Sequence, residues 1–256
     1  MANTVFDNKI IEAKAKDLLA TAINTRSLMT VDNSLAETSG MTKTINVYTY
    51  TGEAEALEAG QGNTTRGAIS FTSNDYKVQR VQANFDYTDD DFMKDSTVVD
   101  NGVAGATAIL KNKMNADFFT ECGKANLKVT GALSYDSIVD AIGEINVEDE
   151  GKVFVVIPND WKALLRKDAD YKAARMGEVI YNGQVGTICG IPVIASKALT
   201  DEAYVMTPEA VKLFLKNDIS AGTERDEDAC INSVYVRAYY ICALVDATKI
   251  CKIANA

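Results

Sequence analysis

Hydrophobic residues change their spacing along the chain, and each spacing predicts a different element. Apolar residues three and four positions apart predict an amphipathic helix at residues 8–24 and a much longer helix at about residues 96–123. Gly102 and Gly105 each weaken the longer helix by about 1 kcal/mol relative to Ala, so we expect another element to approach closely there. The segment TRSLMTVDNSLAETSGMTK after the first helix has no sustained period, which predicts an extended arm rather than a packed element.

Alternating β-branched and aromatic residues predict a long hairpin ahead of the longer helix. Its strands are KTINVYTY and AISFTSNDYKVQRVQANFDY. The stretch between them is rich in Gly, Glu and Ala, and its only large apolar residue is Leu57. Ordering about twenty such residues costs about 1–2 kcal/mol each, and a lone two-stranded hairpin is marginally stable at best. The chain itself offers no evident compensation for that cost.

The second half of the chain mixes helical and extended patterns. The pattern first predicts a helix at 134–147, a buried strand VFVVI and a helix PNDWKALLRK capped by Asn159 or Asp160. A hairpin turning at Asn182 and Gly183 and a strand AYVM follow. The last predicted elements are a helix TPEAVKLFLK, capped by Thr207 with Pro208 at its first position, a charged linker TERDED and a β-rich C-terminal region. The fold class is therefore α+β.

The composition of the chain excludes or disfavours several classes of function. A net charge of −10 disfavours tight binding of nucleic-acid phosphates or anionic lipids. No signal peptide is expected, and the longest apolar run, residues 238–245, is far shorter than the roughly 20 residues of a membrane helix. The absence of histidine excludes His-based triads and His-ligated metals. Five cysteines without a CxxC pair predict reduced, mostly buried thiols.

Candidate chemistry is sparse. Residues 89–91 are three aspartates that could bind Ca²⁺ or Mg²⁺, but they lack EF-hand spacing, and a solvated helix start for the long helix explains them better. Gly183, Gly186 and Gly190 fall between predicted strands and not before a helix, as a phosphate loop requires. Cys189 has no histidine to activate it. We therefore predict no catalytic, cofactor-binding or metal-binding residues and no enzyme.

The order of the elements and several phrases resemble a known family. The phrases are VFDNKIIEAKAKDLL, TRSLMTVDNSL, RKDADYKAARMGEVIYNGQVGTICGIPVIAS and YVMTPEAVKLFLK. They are similar to the major capsid proteins of tailed phages and prophages, which have the Hong Kong 97-type fold. This resemblance implies an N-terminal arm at 1–42, an E-loop hairpin at 43–84, a peripheral domain at 85–133 with the spine helix, completed by strands at about 231–256, and a mixed α/β axial domain at 134–230.

The resemblance also implies a function. Subunits would assemble through pentamers and hexamers into an icosahedral shell around double-stranded DNA that is held without sequence specificity. A portal would occupy one vertex, and a separate scaffolding protein is expected because only a short arm precedes the hairpin. The protein would be located in the virion capsid after assembly in the bacterial cytoplasm, with no membrane partner and no cofactor.

The E-loop would lie across a neighbouring subunit, which explains a long hairpin with little to bury in its own chain. We expect it to be mobile in a free subunit and ordered in the shell. The candidate inter-subunit contacts are Glu53, Glu55, Leu57, Glu58 and Arg66, with plain solvent exposure as the alternative. Residues 49–72 contain no lysine, so we predict no lysine–asparagine cross-link of the kind made by the type member.

Two other functions remain open at this point. An encapsulin-like bacterial compartment would share the fold but enclose cargo enzymes. A metal-dependent cytoplasmic enzyme using residues 89–91 belongs to a different class and ranks lowest.

Overall fold

A computed structural model describes Ile11, residues 25–169 and residues 186–254. The rest of the predicted helix at 8–24 and the predicted turn at Asn182 and Gly183 lie outside the described residues. The strands are β1 (Thr30–Asp32), β2 (Thr42–Thr51), β3 (Ala68–Lys77), β4 (Gln79–Thr88), β5 (Leu127–Thr130), β6 (Phe154–Pro158), β7 (Thr187–Ile188), β8 (Ile191–Ser196), β9 (Glu202–Met206), β10 (Val211–Asp226), β11 (Ile231–Leu244) and β12 (Ile250–Ala254). The α-helices are α1 (Asp89–Lys94), α2 (Val98–Cys122), α3 (Tyr135–Ile145) and α4 (Lys162–Lys167).

The long helix predicted at about residues 96–123 is confirmed as α2, but the acidic residues 89–91 do not belong to its start. The aspartates at 89–91 begin the separate short helix α1, where Thr88 and Asp91 form a reciprocal capping box. The helical conformation is interrupted between α1 and α2, where the Asp95 carboxylate accepts hydrogen bonds from the Thr97 N–H and hydroxyl. The acidic cluster is therefore part of the cap of a different helix.

A four-stranded sheet with the order β1-β10-β11-β4 supports α2. Strands β10 and β11 form a long antiparallel hairpin, and β11 pairs with β4 on its other side. Apolar residues of α2 such as Val99 and Val103 pack in one buried cluster with Ile219, Val234 and Val236 of the sheet. This packing joins the first half of the chain to the C-terminal strands.

The helix predicted at residues 207–216 is wrong. Residues 207–210 form a turn in which the Ala210 N–H donates to the Thr207 carbonyl, and the chain continues as β10. The apolar residues after Pro208 fit a buried strand because β1 and β11 both pair with β10, and this pairing outweighs local helix signals. Residues 223–226 of the predicted charged linker also belong to β10.

The segment at 25–42 is more closely packed than predicted. Strand β1 pairs in parallel with residues 212–214 of β10, and Met29 and Leu35 are buried. The Arg26 guanidinium binds both carboxylate oxygens of Asp218 at 2.8 and 3.1 Å. Met29 packs in one buried cluster with Leu213 and Leu215 of β10, and Leu35 packs in another with Phe214. The expectation of an unpacked arm is therefore wrong for this part.

A six-stranded sheet with the order β5-β12-β9-β6-β8-β7 forms the second layer, with α3 packed against it. Its central strand β6 is buried along its whole length, which confirms the strand predicted from VFVVI. A two-residue turn at Cys189 and Gly190, both with positive φ, joins β7 to β8. The two sheets do not follow the boundary predicted at residue 230 between the axial and peripheral domains. Strand β10 precedes residue 230 but lies in the sheet that supports α2, and β12 follows it but lies in this six-stranded sheet.

The predicted cap at Asn159 or Asp160 is wrong. These residues lie inside a short 3-10 helix, Asn159–Trp161, that leads into α4. Neither the 3-10 helix nor α4 has a side-chain hydrogen bond that caps its first turn. By contrast, Ser134 caps α3 through a reciprocal pair of bonds with Ser137, which confirms the helix predicted at 134–147.

Candidate assembly site on the β2–β3 hairpin

Strands β2 and β3 form a two-stranded sheet of their own. They pair antiparallel from Thr42 opposite Lys77 to Thr51 opposite Ala68, with no shift of register. Ten residues per strand span about 34 Å at the usual rise of an antiparallel strand. The long hairpin predicted from the sequence is confirmed, although its second run is divided at Val78 into β3 and β4.

The base of the hairpin is anchored at Val78. This side chain is 1% exposed and packs with Leu35, Phe214 and Ala243. Its N–H donates to the Met41 carbonyl at 2.7 Å. Because the chain turns from one sheet into another at this buried residue, the cluster fixes where the hairpin leaves the body of the subunit.

Aromatic and aliphatic side chains occupy the outer half of one hairpin face. Tyr48 lies opposite Phe71, and Tyr50 lies opposite Ile69. All four are 63–69% exposed, and the Tyr48 and Phe71 ring centroids are 5.8 Å apart. We call these four residues the apolar patch. Exposed apolar residues grouped in this way are typical of surfaces that interact with another molecule.

The inner half of the same face is polar. Ser73 donates a hydrogen bond to the Asn46 side chain at 2.7 Å, and Thr44 donates to the Asp75 carboxylate at 2.6 Å. These cross-strand pairs satisfy one another and need no partner from outside. Only the outer half of the face therefore has apolar surface left to bury.

The loop between the strands is held by a carboxylate. Glu55 accepts hydrogen bonds from the Thr64 N–H at 2.8 Å, the Thr64 hydroxyl at 2.9 Å and the Thr65 N–H at 2.8 Å. The Thr64 and Thr65 hydrogen bonds lower the pKa of Glu55 to about 2. This carboxylate is therefore ionised at physiological pH.

The predicted contact residues lie together on this loop. Glu53, Leu57, Glu58 and Arg66 are exposed, whereas Glu55 is half-buried and directs its carboxylate into the loop. Their contact with a neighbouring subunit stays a prediction. The sequence reasoning missed the apolar patch, although the alternation of aromatic and polar residues along both strands was the signal that could have found it.

Asp89 and Asp91, two of the three acidic residues considered for a metal site, have protein partners. Asp89 accepts hydrogen bonds from Arg225 at 2.8 and 3.1 Å and from the Asn232 amide at 2.8 Å. The Arg225 and Asn232 bonds lower the pKa of Asp89. Within Ile11, residues 25–169 and residues 186–254, no group of three or more His, Cys, Asp or Glu side chains is placed to hold a metal. The same residues include no helix with the length and apolar character of a membrane span.

Comparison with known proteins connects this architecture to capsids. No family model matches the chain. The major capsid protein of Staphylococcus phage phiMR11 is 25% identical over 242 residues, covering 90% of this chain and 86% of that protein. A chain of the bacteriophage PhiM1 mature capsid is similar with a TM-score of 0.71 and 12% identity, over 90% of this chain and 86% of that one. A virus-like particle from Pyrococcus furiosus is similar with a TM-score of 0.66 and 11% identity, over 96% and 98%.

These likenesses extend over nearly the whole chain and agree with the mixed helices and sheets described above. They confirm the predicted α+β class and the resemblance to phage capsid proteins, and they point to a structural protein rather than an enzyme. The chain therefore has the Hong Kong 97-type capsid fold and is similar to phage major capsid proteins over about nine-tenths of its length.

Proposed function

We propose that the chain is the major capsid protein of a tailed phage or prophage and that its copies form an icosahedral shell around double-stranded DNA. The observation that carries this proposal is the apolar patch on a hairpin that projects from a capsid fold. A subunit that stayed monomeric would leave four large apolar side chains in water. A shell gives each hairpin a neighbouring subunit on which to bury them.

In this shell, subunits assemble as pentamers and hexamers, and the hairpin of one subunit lies across the next. Burial of the apolar patch contributes about 25 cal/mol for each Å² removed from water. Glu53, Leu57, Glu58 and Arg66 then form the surrounding contacts, where exposed ion pairs add specificity more than affinity. Glu55 stays bonded within its own loop and supports these contacts indirectly.

The remaining partners follow from the same proposal. A net charge of −10 suits a container that must release its genome, because each contact between a basic side chain and a DNA phosphate adds affinity through counterion release, and an acidic protein makes few such contacts. By analogy with the phage capsids that share this fold, we further propose that DNA is held without sequence specificity, that a portal occupies one vertex and that a separate scaffolding protein directs assembly. The shell forms in the bacterial cytoplasm and becomes the virion capsid.

The test is negative-stain electron microscopy of the full chain, expressed alone and together with the genes encoded beside it. We expect closed particles, or rings of subunits that close when a scaffolding protein is present. Particles no larger than a monomer or dimer under both conditions would contradict the proposal.

A pair of variants connects assembly to the apolar patch. Phe71→Ser removes one aromatic ring of the patch, and Thr72→Ser changes the adjacent residue on the other face as a control. We expect Phe71→Ser to remain folded but to form no closed particles, and Thr72→Ser to assemble normally. Normal assembly of Phe71→Ser would show that the patch is not an interface.

An encapsulin-like compartment is the second candidate, because a virus-like particle from Pyrococcus furiosus shares the fold over 96% of this chain. The contents of purified particles distinguish the two functions. Nuclease-protected double-stranded DNA in particles made during phage production supports the phage capsid, whereas a stoichiometric copurifying enzyme supports the compartment.

A further inference from the structure

The loop that joins β2 to β3 is closed by contacts within itself. The first lies at its neck, where the Tyr50 ring packs against Gly52 and Gly67. A Cβ atom added at either glycine would overlap this ring. The two ends of the loop are therefore held together at the point where the β2–β3 ladder ends.

The second contact is the Glu55 carboxylate, which bridges the two halves of the loop. It accepts three hydrogen bonds from Thr64 and Thr65, nine and ten residues further along the chain. Hydrogen bonds to an ionised acceptor are about twice as strong as those between neutral groups. Two of the donors are backbone N–H groups, so the bridge fixes the path of the main chain.

The third contact is a turn at the far end of the loop. The Gln61 N–H donates to the Glu58 carbonyl at 3.1 Å, and Gly60 between them has φ +90°. A turn with a positive φ at its third residue is a type II turn, which favours glycine at that position. The loop is thus held at its neck, its middle and its end.

We propose that residues 52–67 form a preformed docking element, held by Glu55 before any neighbouring subunit is present. This inference rests on the proposed shell function and identifies a second copy of the chain as the partner. The sequence predicted a loop that is mobile in a free subunit. In this proposal the hairpin moves at its base, while residues 52–67 keep one conformation. A preformed loop loses less conformational freedom on assembly, and so docks more tightly for the same contacts.

Glu55 is a positioning residue in this proposal. Glu53 is its matched control for the amide-exchange measurement alone, because the Glu53 side chain is itself a proposed inter-subunit contact. The changes Glu55→Gln and Glu53→Gln remove the same charge from the same loop, but only the first affects a carboxylate that accepts the Thr64 and Thr65 hydrogen bonds. Both side chains lie away from the buried clusters, so each variant is expected to fold.

The experiment measures amide hydrogen exchange at Thr64 and Thr65 in the unassembled full chain, together with the rate of particle formation. We expect both amides to be protected in the unchanged protein and in Glu53→Gln, and to exchange about tenfold faster in Glu55→Gln. We also expect slower assembly of Glu55→Gln, partly restored in Glu55→Asp, which keeps the charge on a shorter side chain.

The outcomes separate this inference from the shell proposal. Rapid exchange at Thr64 and Thr65 in the unchanged protein, or equal protection in Glu55→Gln, would overturn the preformed loop even if particles form normally. Assembly of Glu55→Gln at the unchanged rate would overturn its role in docking. If no variant forms particles while the protection pattern is as expected, the shell proposal fails and the preformed loop remains.

Discussion

Gly102 of α2 lies directly against the aromatic ring of Phe85 on β4. A Cβ atom added at Gly102 would overlap several atoms of this ring. Phe85 packs against the buried cluster between the helix and the four-stranded sheet, so the contact brings the helix close to the sheet. The expected close approach is confirmed at Gly102. At Gly105 it is not found among residues 25–169 and 186–254, where nothing beyond the helix's own nearby backbone and adjacent residues lies within 4 Å of an added Cβ.

The two glycines of α2 should respond in opposite ways to alanine. Gly102→Ala must displace the Phe85 ring, and overpacking of this kind costs about 1–3 kcal/mol, against a gain of up to about 1 kcal/mol in helix propensity. We expect a net loss of about 1 kcal/mol in the free energy of unfolding, measured by denaturant titration of the unassembled subunit.

Gly105→Ala is the matched control, since it gains the same helix propensity at a position where no side chain of the described residues lies close to an added Cβ. We expect the free energy of unfolding to rise by up to about 1 kcal/mol. Equal shifts in the two variants would show that Phe85 moves aside freely and that the contact does not constrain the helix.

Acid should open the hairpin loop only at very low pH. The folded pKa of Glu55 is lowered from 4.5 to about 2, so its contribution is complete above the unfolded value and disappears as the pH falls towards 2. The amide resonances of Thr64 and Thr65, followed by NMR between about pH 6 and about pH 1, should titrate with a midpoint near 2. A midpoint near 4.5 would mean that these hydrogen bonds do not form in solution.

Lys216 should hold the segment after β1 against the sheet. Its ammonium group donates to the Leu35 carbonyl at 2.8 Å and also to the Thr38 carbonyl. Lys216→Met keeps the length of the side chain but removes these bonds, so we expect a loss of about 1–2 kcal/mol in unfolding free energy and faster proteolysis at residues 33–41. Lys167→Met, at an exposed position on α4, is the control and should change neither measurement.

The cysteines should divide into two classes of reactivity. Burial raises the pKa of Cys242 to about 12 and that of Cys251 to about 11, and Cys122 is also buried with a raised pKa. Cys189 and Cys230 are exposed. A thiol reagent at about pH 8 should therefore modify two thiols in the folded subunit and all five after unfolding. Rapid modification of Cys242 would contradict the packing against α2.

Local pattern was sufficient where one spacing dominated. The spacing of Val99, Val103 and Leu110 predicted α2, and alternation predicted β2 and β3, because in both cases the packing agrees with the local signal. At residues 207–216 the local signal was misleading. Thr207 and Pro208 have the residue types of a helix start, but β1 and β11 pair with the following residues, and this long-range pairing leaves no trace in the local sequence.

The candidate site was likewise predicted in part, where a local signal exists, and missed where the contacts are long-range. The sequence located the loop and its exposed charges, but the bridge from Glu55 to Thr64 and Thr65 depends on the path of the chain through nine residues and has no periodic signature. The apolar patch was overlooked because each strand shows only half of it, and the register of β2 against β3 brings the halves together.

The unbroken ladder of the hairpin makes it a single arm that joins the body of the subunit at Val78, the point about which the arm would pivot. For an arm of about 34 Å, a rotation of about 10° at the pivot moves the far end by about 6 Å. Small adjustments in the cluster around Val78 therefore become large displacements at the tip, with no change in the hairpin itself. In the proposed shell, one sequence could in this way reach neighbouring subunits at different angles.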